Sequence, residues 1–141
     1  MTIQLKRAYE KPKRGDGTRI LVDRLWPRGL TKDKAQINLW LKDVAPSTEL
    51  RKWFGHDPRK WRAFRSRYRA ELKQRDDQLQ LINNKAKKGV ITLIYGARDQ
   101  KHNEAVVLKQ LLTRRGDGAR DSLRGAGGGK PQRSDNKTLS F

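Results

Sequence analysis

Two uninterrupted apolar runs constrain the fold of this chain more than any other feature of its sequence. Ile20–Val22 and Val90–Tyr95 are apolar at almost every position, so a strand formed by either run places apolar side chains on both of its faces. Strands of this kind lie in parallel sheets that helices cover on both sides. With a weaker candidate at the start of the chain, the predicted strands are Ile3–Tyr9, Arg19–Trp26 and Val90–Tyr95.

Helical patterns fill the intervals between these strands. Ser47 is a good N-cap, Gly55 is a typical stop, and Asp57 followed by proline is a strong start signal. The predicted helices cover Ala35–Leu41, Thr48–Phe54, a stretch that starts at Asp57-Pro58 and runs past Leu79 and Ile82, and His102–Leu112. Strands that alternate with helices predict an α/β layered domain with a largely parallel sheet of three or four strands.

The chain is strongly basic, and its C-terminal part differs in composition from the rest. Thirty-four lysines and arginines outnumber 15 acidic residues among 141, which gives a formal charge of +19. Residues 114–141 hold six of the twelve glycines and almost no apolar side chains, so burial cannot offset the entropy cost of ordering them. We expect an α/β domain over residues 1–113 and a disordered, basic, Gly-rich tail over residues 114–141. Most of the positive charge belongs to the domain, and it favours polyanions as partners.

Several common classes of protein are excluded by what the sequence lacks. No apolar run approaches the roughly 18 residues of a membrane span, and the first residues carry no signal core, so we expect a cytoplasmic protein without a membrane partner. There is no cysteine, and His56 and His102 lack ligand spacing, so no metal site is expected. No phosphate-binding glycine motif occurs either, and no cofactor is expected. These absences do not exclude an enzyme.

Polar side chains follow the second and third predicted strands where those strands end. Ligands bind open parallel sheets beyond the carboxyl ends of the strands, so two neighbouring strands would bring these side chains into one cleft. Arginine suits the bidentate capture of phosphate or carboxylate, and a helix N-terminus after Asp99 adds free amide donors. The predicted cleft residues are Asp23, Arg24, Arg28, Tyr95, Arg98, Asp99, His102 and Asn103.

Each of these residues has a structural interpretation beside its functional one. Asp23 beside arginines is more often part of a structural ion pair, and Asp99 suits a plain helix cap better than a catalytic acid. A histidine titrates near neutrality, as acid–base chemistry requires, but His102 is equally consistent with a surface residue of the first helical turn. The catalytic candidates are Asp23, Asp99 and His102, and the predicted ligand contacts are Arg24, Arg28, Tyr95, Arg98 and Asn103.

The long predicted helix carries a second candidate surface. A ridge of polar residues, most of them basic, falls on one side of the helical wheel, opposite an aromatic and apolar side that suits the core. Such a ridge is the electrostatic footprint expected for nucleic-acid phosphates, although a solvated charged face has the same pattern. The predicted nucleic-acid contacts are Arg59, Arg62, Arg69 and Lys73.

Five stretches of the sequence carry a family resemblance. They are Val-Asp-Arg-Leu-Trp-Pro-Arg-Gly at 22–29, Ala-Pro-Ser-Thr-Glu-Leu-Arg at 45–51, His-Asp-Pro-Arg-Lys-Trp at 56–61, Phe-Arg-Ser-Arg-Tyr at 64–68 and Thr-Leu-Ile-Tyr-Gly-Ala-Arg-Asp at 92–99. Together they resemble the YeaO-like branch of the family called domain of unknown function 488, over essentially residues 1–113. The resemblance implies a small cytoplasmic α/β domain and supplies no established reaction. Other branches carry cysteines after the last strand, and this chain has none, so no thiol or metal chemistry transfers from them.

Three functional hypotheses follow from these residues. The first is an anion-binding module whose arginine-rich cleft takes a nucleotide or nucleic-acid phosphate. The alternative is an enzyme in the same cleft that uses Asp23 or Asp99 with His102 as acid and base on a phosphorylated or carboxylated substrate. The third is a scaffold whose charge serves solubility or acidic partner proteins.

Overall fold

A parallel sheet forms the centre of the domain. The computed structural model describes the backbone of residues 1–124 and the side chains of residues 1–114. Within that part the strands are β1 (Ile3–Arg7), β2 (Thr18–Leu21), β3 (Leu39–Trp40) and β4 (Ile91–Tyr95), in the order β1-β4-β2-β3, and all neighbours are parallel. The predicted α/β fold with a parallel sheet of three or four strands is therefore confirmed.

The central strand β4 is the most buried element of the sheet. All five of its residues are buried, as its uninterrupted apolar sequence predicts. It pairs with β1 along its full length and with β2 on the other side, where Ile20 lies opposite Leu93. The predicted strand Arg19–Trp26 is shorter in the structure because the chain leaves the sheet after Val22, whose amide still donates to the Ile94 carbonyl at 3.0 Å.

Five helices surround the sheet in the described part of the chain. They are α1 (Lys32–Ala35), α2 (Thr48–Phe54), α3 (Trp61–Leu72), α4 (Asp76–Lys88) and α5 (Glu104–Arg124). The predicted bounds of α2 are confirmed, because the Ser47 hydroxyl accepts a hydrogen bond from the Leu50 amide and Gly55 adopts a left-handed conformation. The Asp57-Pro58 start signal opens a short 3-10 turn, and α3 follows it directly.

The predicted helix at Ala35–Leu41 is wrong. Helix α1 ends at Ala35, where Gln36 adopts a left-handed conformation with φ of 47°. The next residues pair with β2 as the edge strand β3, since the Asn38 amide donates to the Arg19 carbonyl and the Leu41 amide to the Leu21 carbonyl, both at 2.9 Å. Sheet hydrogen bonds to a neighbouring strand thus replace the helical ones that the local sequence allows.

The long helix predicted from Asp57 past Ile82 is divided in two. Helix α3 ends at Leu72, and the amides of Gln74 and Arg75 bond back three residues to close a tight turn before α4. Both halves keep the predicted apolar spacing, with Tyr68 and Leu72 buried before the break and Leu79 buried after it. The break lets both helices place their apolar sides on one core.

The last helix is longer than its predicted span of His102–Leu112. It begins at Glu104 and continues to Arg124, so it includes residues 114–124 of the segment predicted as a tail. Residues 125–141 of that segment lie outside the described residues. The domain boundary after Thr113 stays a prediction.

A buried ion cluster joins the two strands that flank β4. Asp16 is 5% exposed and accepts hydrogen bonds from Lys6 at 2.8 Å and from Arg19 at 2.6 Å. The guanidinium of Arg19 also donates to the Ala35 carbonyl at 2.8 Å, which ties the end of α1 to the sheet. Burial by itself raises the pKa of Asp16, but the hydrogen bonds from Lys6, the Lys13 amide and Arg19 bring it below its ordinary value.

Replacing Asp16→Asn should lower the free energy of unfolding by about 3 kcal/mol at neutral pH, because it leaves the buried Arg19 cation without its partner. Because the pKa of Asp16 is lowered in the folded state, the Asp16 carboxylate contributes to the free energy of unfolding at neutral pH. This contribution is lost as the pH falls through the folded-state pKa. Urea unfolding at a series of pH values measures both effects. The matched control is Asp33→Asn on exposed α1, which should change stability by less than about 0.5 kcal/mol. Equal stability of the two variants would contradict this account.

Candidate functional site

A pocket lies at the carboxyl ends of β2 and β4, where the N-terminus of α5 meets the sheet. Its volume is about 240 Å³. The two strands are neighbours, as the predicted cleft required. The polar lining residues are Asp23, Arg24, Arg51, His56, His102, Asn103 and Glu104.

Asp23 is fixed at the floor of the pocket by the chain that follows β4. Its Oδ2 accepts a hydrogen bond from the Gly96 amide at 2.8 Å, and the backbone carbonyl of Asp23 accepts one from the Trp40 indole at 2.8 Å. A methyl group at Gly96 would lie 3.0 Å from the same carboxylate oxygen, so this position favours glycine. The other oxygen, Oδ1, is buried and accepts no hydrogen bond from an amide, hydroxyl or cationic donor among the described residues.

Glu104 brings a second carboxyl group to Asp23. Burial raises the pKa of Glu104 well above its ordinary value, and the neighbouring Asp23 carboxylate, through its charge and a hydrogen bond, raises it further. Two ionised carboxylates can only accept hydrogen bonds, whereas a protonated Glu104 can donate one to Asp23. The two carboxyl groups therefore form a buried pair in which the Asp23 carboxylate favours the protonated form of Glu104.

His102 and Asp99 form a hydrogen-bonded pair at the edge of the pocket. The His102 Nδ1 lies 2.8 Å from Asp99 Oδ2, and the hydrogen bond from His102 is the main cause of the lowered pKa of Asp99. Asp99 Oδ1 also accepts the amides of Lys101 and His102, as a capping carboxylate does. The His102 ring stands edge-on to Trp61, with ring centroids 5.2 Å apart.

Asn103 is the residue that caps α5. Its Oδ1 accepts from the Val106 amide at 3.1 Å, and its Nδ2 donates to the Asp99 carbonyl at 2.9 Å. Asn103 also forms a hydrogen bond with Tyr95 that lowers the pKa of the phenol, although burial is the larger effect and leaves that pKa raised. Asn103 thus fixes the start of α5, and with it the position of Glu104.

Two arginines and an aromatic wall complete the pocket. The Arg24 guanidinium makes long hydrogen bonds of 3.3–3.4 Å to the carbonyls of Ala45 and Pro46. Arg51 is exposed on α2 and lines the same pocket. Phe54 and Phe64 stack with ring centroids 4.3 Å apart and supply its apolar side. The pocket therefore offers cations, carboxyl groups and an apolar face to one ligand.

The structure brings only some of the predicted cleft residues to the pocket. Asp23, Arg24, His102 and Asn103 line it. Asp99 and Tyr95 stand behind the lining residues as the partners of His102 and Asn103. The side chains of Arg28 and Arg98 are exposed and do not belong to the lining.

Sequence reasoning missed three lining residues, Arg51, His56 and Glu104. Glu104 directly follows the cap residue Asn103, so its place in the first turn of α5 was a usable signal. His56 has a left-handed backbone with φ of 59° directly after Gly55, which is uncommon for a residue with a side chain. Nothing in the sequence places Arg51 near the ends of β2 and β4, because only the packing of α2 does so.

The predicted basic ridge is in part assembled along α3. Arg62, Arg69 and Lys73 line a common groove with Arg65 and Arg114. Arg59 does not belong to that lining, because it lies in the 3-10 turn before α3. The side chain of Arg59 is 91% exposed there and forms an ion pair with Asp57 at 3.2 Å.

Within the described residues, no grouping of three or more histidines and carboxylates is suited to a metal ion. No helix of that part combines the length and apolarity that crossing a membrane requires.

The fold and the pocket define a small α/β domain with a polar site at the carboxyl ends of its strands. Residues 2–126 match the model of the DUF488-N3i family, described as the inactive DUF488-N3 subclade, and the chain belongs to this family. The family resemblance seen in the sequence is therefore confirmed.

Two relatives from distant bacteria resemble nearly the whole domain. "Uncharacterized protein YeaO" of Escherichia coli strain K12 is 44% identical over 112 residues, which cover 79% of this chain and 97% of that protein. "Uncharacterized protein Rv3073c" of Mycobacterium tuberculosis strain H37Rv is 40% identical over 113 residues, which cover 80% of this chain and 95% of that protein. No solved structure matches this chain.

The replacement Glu104→Gln should stabilise the protein at alkaline pH and have little effect at pH values below the ordinary pKa of glutamate. The pKa of Glu104 is higher in the folded state than in the unfolded state. Wild-type stability therefore falls as the pH rises from the unfolded-state pKa to the folded-state pKa of Glu104. Glutamine mimics the protonated carboxyl and removes that loss. Thermal unfolding over a pH series measures the effect, with exposed Glu49→Gln as the control. A constant difference between Glu104→Gln and wild type at all pH values would contradict the proton assignment.

Proposed function

We propose that this domain binds a small molecule that carries an anionic group and several hydroxyl groups, of which a phosphorylated sugar is the representative class. The observation that carries the proposal is the Asp23–Glu104 pair at the floor of a pocket that Arg24 and Arg51 also line. A carboxylate oxygen accepts hydrogen bonds from hydroxyl groups, and a guanidinium suits a phosphate.

The size and chemistry of the pocket support a ligand of this class. A volume of about 240 Å³ lies below the usual range for drug-sized ligands, so a sugar phosphate fits better than a dinucleotide. Phe54 and Phe64 make part of the pocket wall apolar, which suits the carbon atoms of a sugar ring. The N-terminus of α5 adds a favourable dipole for an anion.

This proposal changes the residues that hold the anion. The sequence suggested Arg24, Arg28 and Arg98, whereas the lining of the pocket supports Arg24 with Arg51. Tyr95 and Asn103, which were predicted as ligand contacts, support the start of α5, and Asn103 also lines the pocket. A nucleotide monophosphate remains within the same class because it combines the phosphate with sugar hydroxyls.

Calorimetric titration with ribose 5-phosphate, and in parallel with ribose and inorganic phosphate, tests the proposal directly. Ribose 5-phosphate should bind more tightly than either of its parts, since it engages both the arginines and the carboxyl pair. Arg51→Gln should weaken binding by about tenfold, the typical loss for one charge-assisted hydrogen bond. Arg28→Gln is the matched control, because it removes the same charge from outside the lining, and it should leave affinity unchanged.

Two results would contradict this function. One is equal affinity for ribose 5-phosphate and inorganic phosphate, which would leave the carboxyl pair without a role in binding. The other is an equal loss of affinity in Arg51→Gln and Arg28→Gln, which would mean that overall charge, and not the pocket, attracts the ligand.

A second candidate function is acid–base catalysis on the same ligand. The observation that favours it is the raised pKa of Glu104, caused by burial and the neighbouring Asp23 carboxylate, because a carboxyl group of this kind can act as an acid. His102 and its partner Asp99 lie at the pocket edge and offer a base. The description of the family as an inactive subclade favours binding over catalysis. Phosphorus NMR of ribose 5-phosphate after long incubation separates the two, because binding leaves the spectrum of the recovered ligand unchanged.

A further inference from the structure

A second charged surface lies between α3 and α5, lined by different residues from those of the pocket. Two adjoining cavities of about 590 and 750 Å³ share Arg65, Arg69 and Arg114. We call this surface the basic groove, and its cations are Arg62, Arg65, Arg69, Lys73, Lys109 and Arg114.

Two guanidinium groups of the basic groove have donors without an acceptor. The Nε atoms of Arg65 and Arg69 are buried and make no hydrogen bond in the described part of the chain. Buried polar groups in folded proteins nearly always have a partner, and leaving one without a partner is costly. None of the ion pairs found among residues 1–114 includes a cation of the basic groove. These donors therefore have no acceptor within the described residues, and an external ligand can supply one.

Like charges are crowded in the same place. Burial lowers the pKa of Arg69, and the neighbouring charges of Arg65 and Arg114 lower it further. A cluster of this kind destabilises the charged form of each member, and a bound anion reverses that effect. The basic groove is thus poised to bind negative charge.

The cations form a row along α3. Arg62, Arg65, Arg69 and Lys73 are spaced by three, four and four residues, so they occupy one stripe of the helix. At 1.5 Å per residue the stripe is about 16 Å long. A row of this length can contact several phosphates of a nucleic-acid backbone. A single phosphate would engage only part of such a row.

From this row of cations, which find no acidic partner among residues 1–114, we infer that the basic groove binds the phosphate backbone of a nucleic acid. Guanidinium forks match phosphate geometry, and backbone contacts need no sequence-specific side chains. The site does not depend on the pocket, and it replaces the expected contact Arg59 with Arg65 and Arg114. Arg59 already has Asp57 as its partner.

Fluorescence anisotropy of the full chain with labelled short DNA and RNA duplexes, at several salt concentrations, tests this inference. The variant Arg62→Gln/Arg65→Gln/Arg69→Gln should raise the Kd at least about tenfold and reduce the slope of log Kd against log salt by roughly 2 to 3. The control Lys32→Gln/Lys34→Gln/Lys88→Gln removes the same net charge from exposed positions on α1 and at the end of α4. It should retain most of the affinity and the wild-type slope.

The single variant Arg62→Gln keeps the test decisive if the triple variant fails to fold, because Arg62 is exposed. It should reduce the salt slope by about 1, since one phosphate contact is lost. Binding should survive Glu104→Gln, which separates this inference from the function of the pocket.

Three outcomes would overturn the inference. The first is an equal loss of affinity in the groove and control variants, which would make the attraction a property of net charge alone. The second is equally tight binding of polyglutamate at the same salt, which would indicate an acidic protein partner. The third is that inorganic triphosphate competes as well as unlabelled duplex when both concentrations are counted per phosphate. That result would indicate a small phosphate ligand.

Discussion

The parallel pairing of β2 with β4 is the constraint on which the rest of the structure depends. Every residue of β4 is buried, so helices must cover both faces of the sheet, and the polar residues that follow the strands emerge together at one edge. The Gly96 amide and the Asp23 carboxylate join the two strand ends directly, at 2.8 Å. Helix α5 starts beside this junction, and its first residue brings a second carboxyl group there. The pocket is therefore a consequence of the strand order, and its chemistry follows from which residues happen to stand at the strand ends.

The sequence predicted the features that depend on local pattern. The run Val90–Tyr95 indicated a strand buried on both faces, and Ser47 with Gly55 gave the bounds of α2. The features that it did not predict depend on distances between elements. Strand β3 is two residues long and exists because backbone groups beside it bond to β2, so its own sequence carries little signal. The place of Glu104 beside Asp23 is likewise set by the docking of α5 on the sheet.

The charged residues show the same division between pattern and packing. A helical wheel groups Arg62, Arg69 and Lys73 correctly, because one helix holds them. It also includes Arg59, which the structure places in a 3-10 turn with Asp57 as its partner. Arg114 joins the basic groove from another helix, which no single-helix pattern can show.

Among the predicted cleft arginines, Arg24 lines the pocket and Arg28 does not, because the chain after Val22 turns away from the sheet. The pocket and the basic groove are separate surfaces with different chemistry. The pocket is lined by both cations and carboxyl groups, whereas the groove lining found among residues 1–114 has cations and no carboxyl group.

Burial and the neighbouring Asp23 carboxylate favour the protonated form of Glu104, and the chemistry of the pocket depends on this effect. Carbon-13 NMR titration of the side-chain carboxyl groups, in the full chain and in Asp23→Asn, measures this most directly. The account predicts that the pKa of Glu104 lies well above its ordinary value because of burial and the Asp23 carboxylate. It also predicts that Asp23→Asn lowers this pKa without restoring it fully, since burial remains. An ordinary glutamate pKa in the wild type, or a raised one that Asp23→Asn leaves unchanged, would contradict the account.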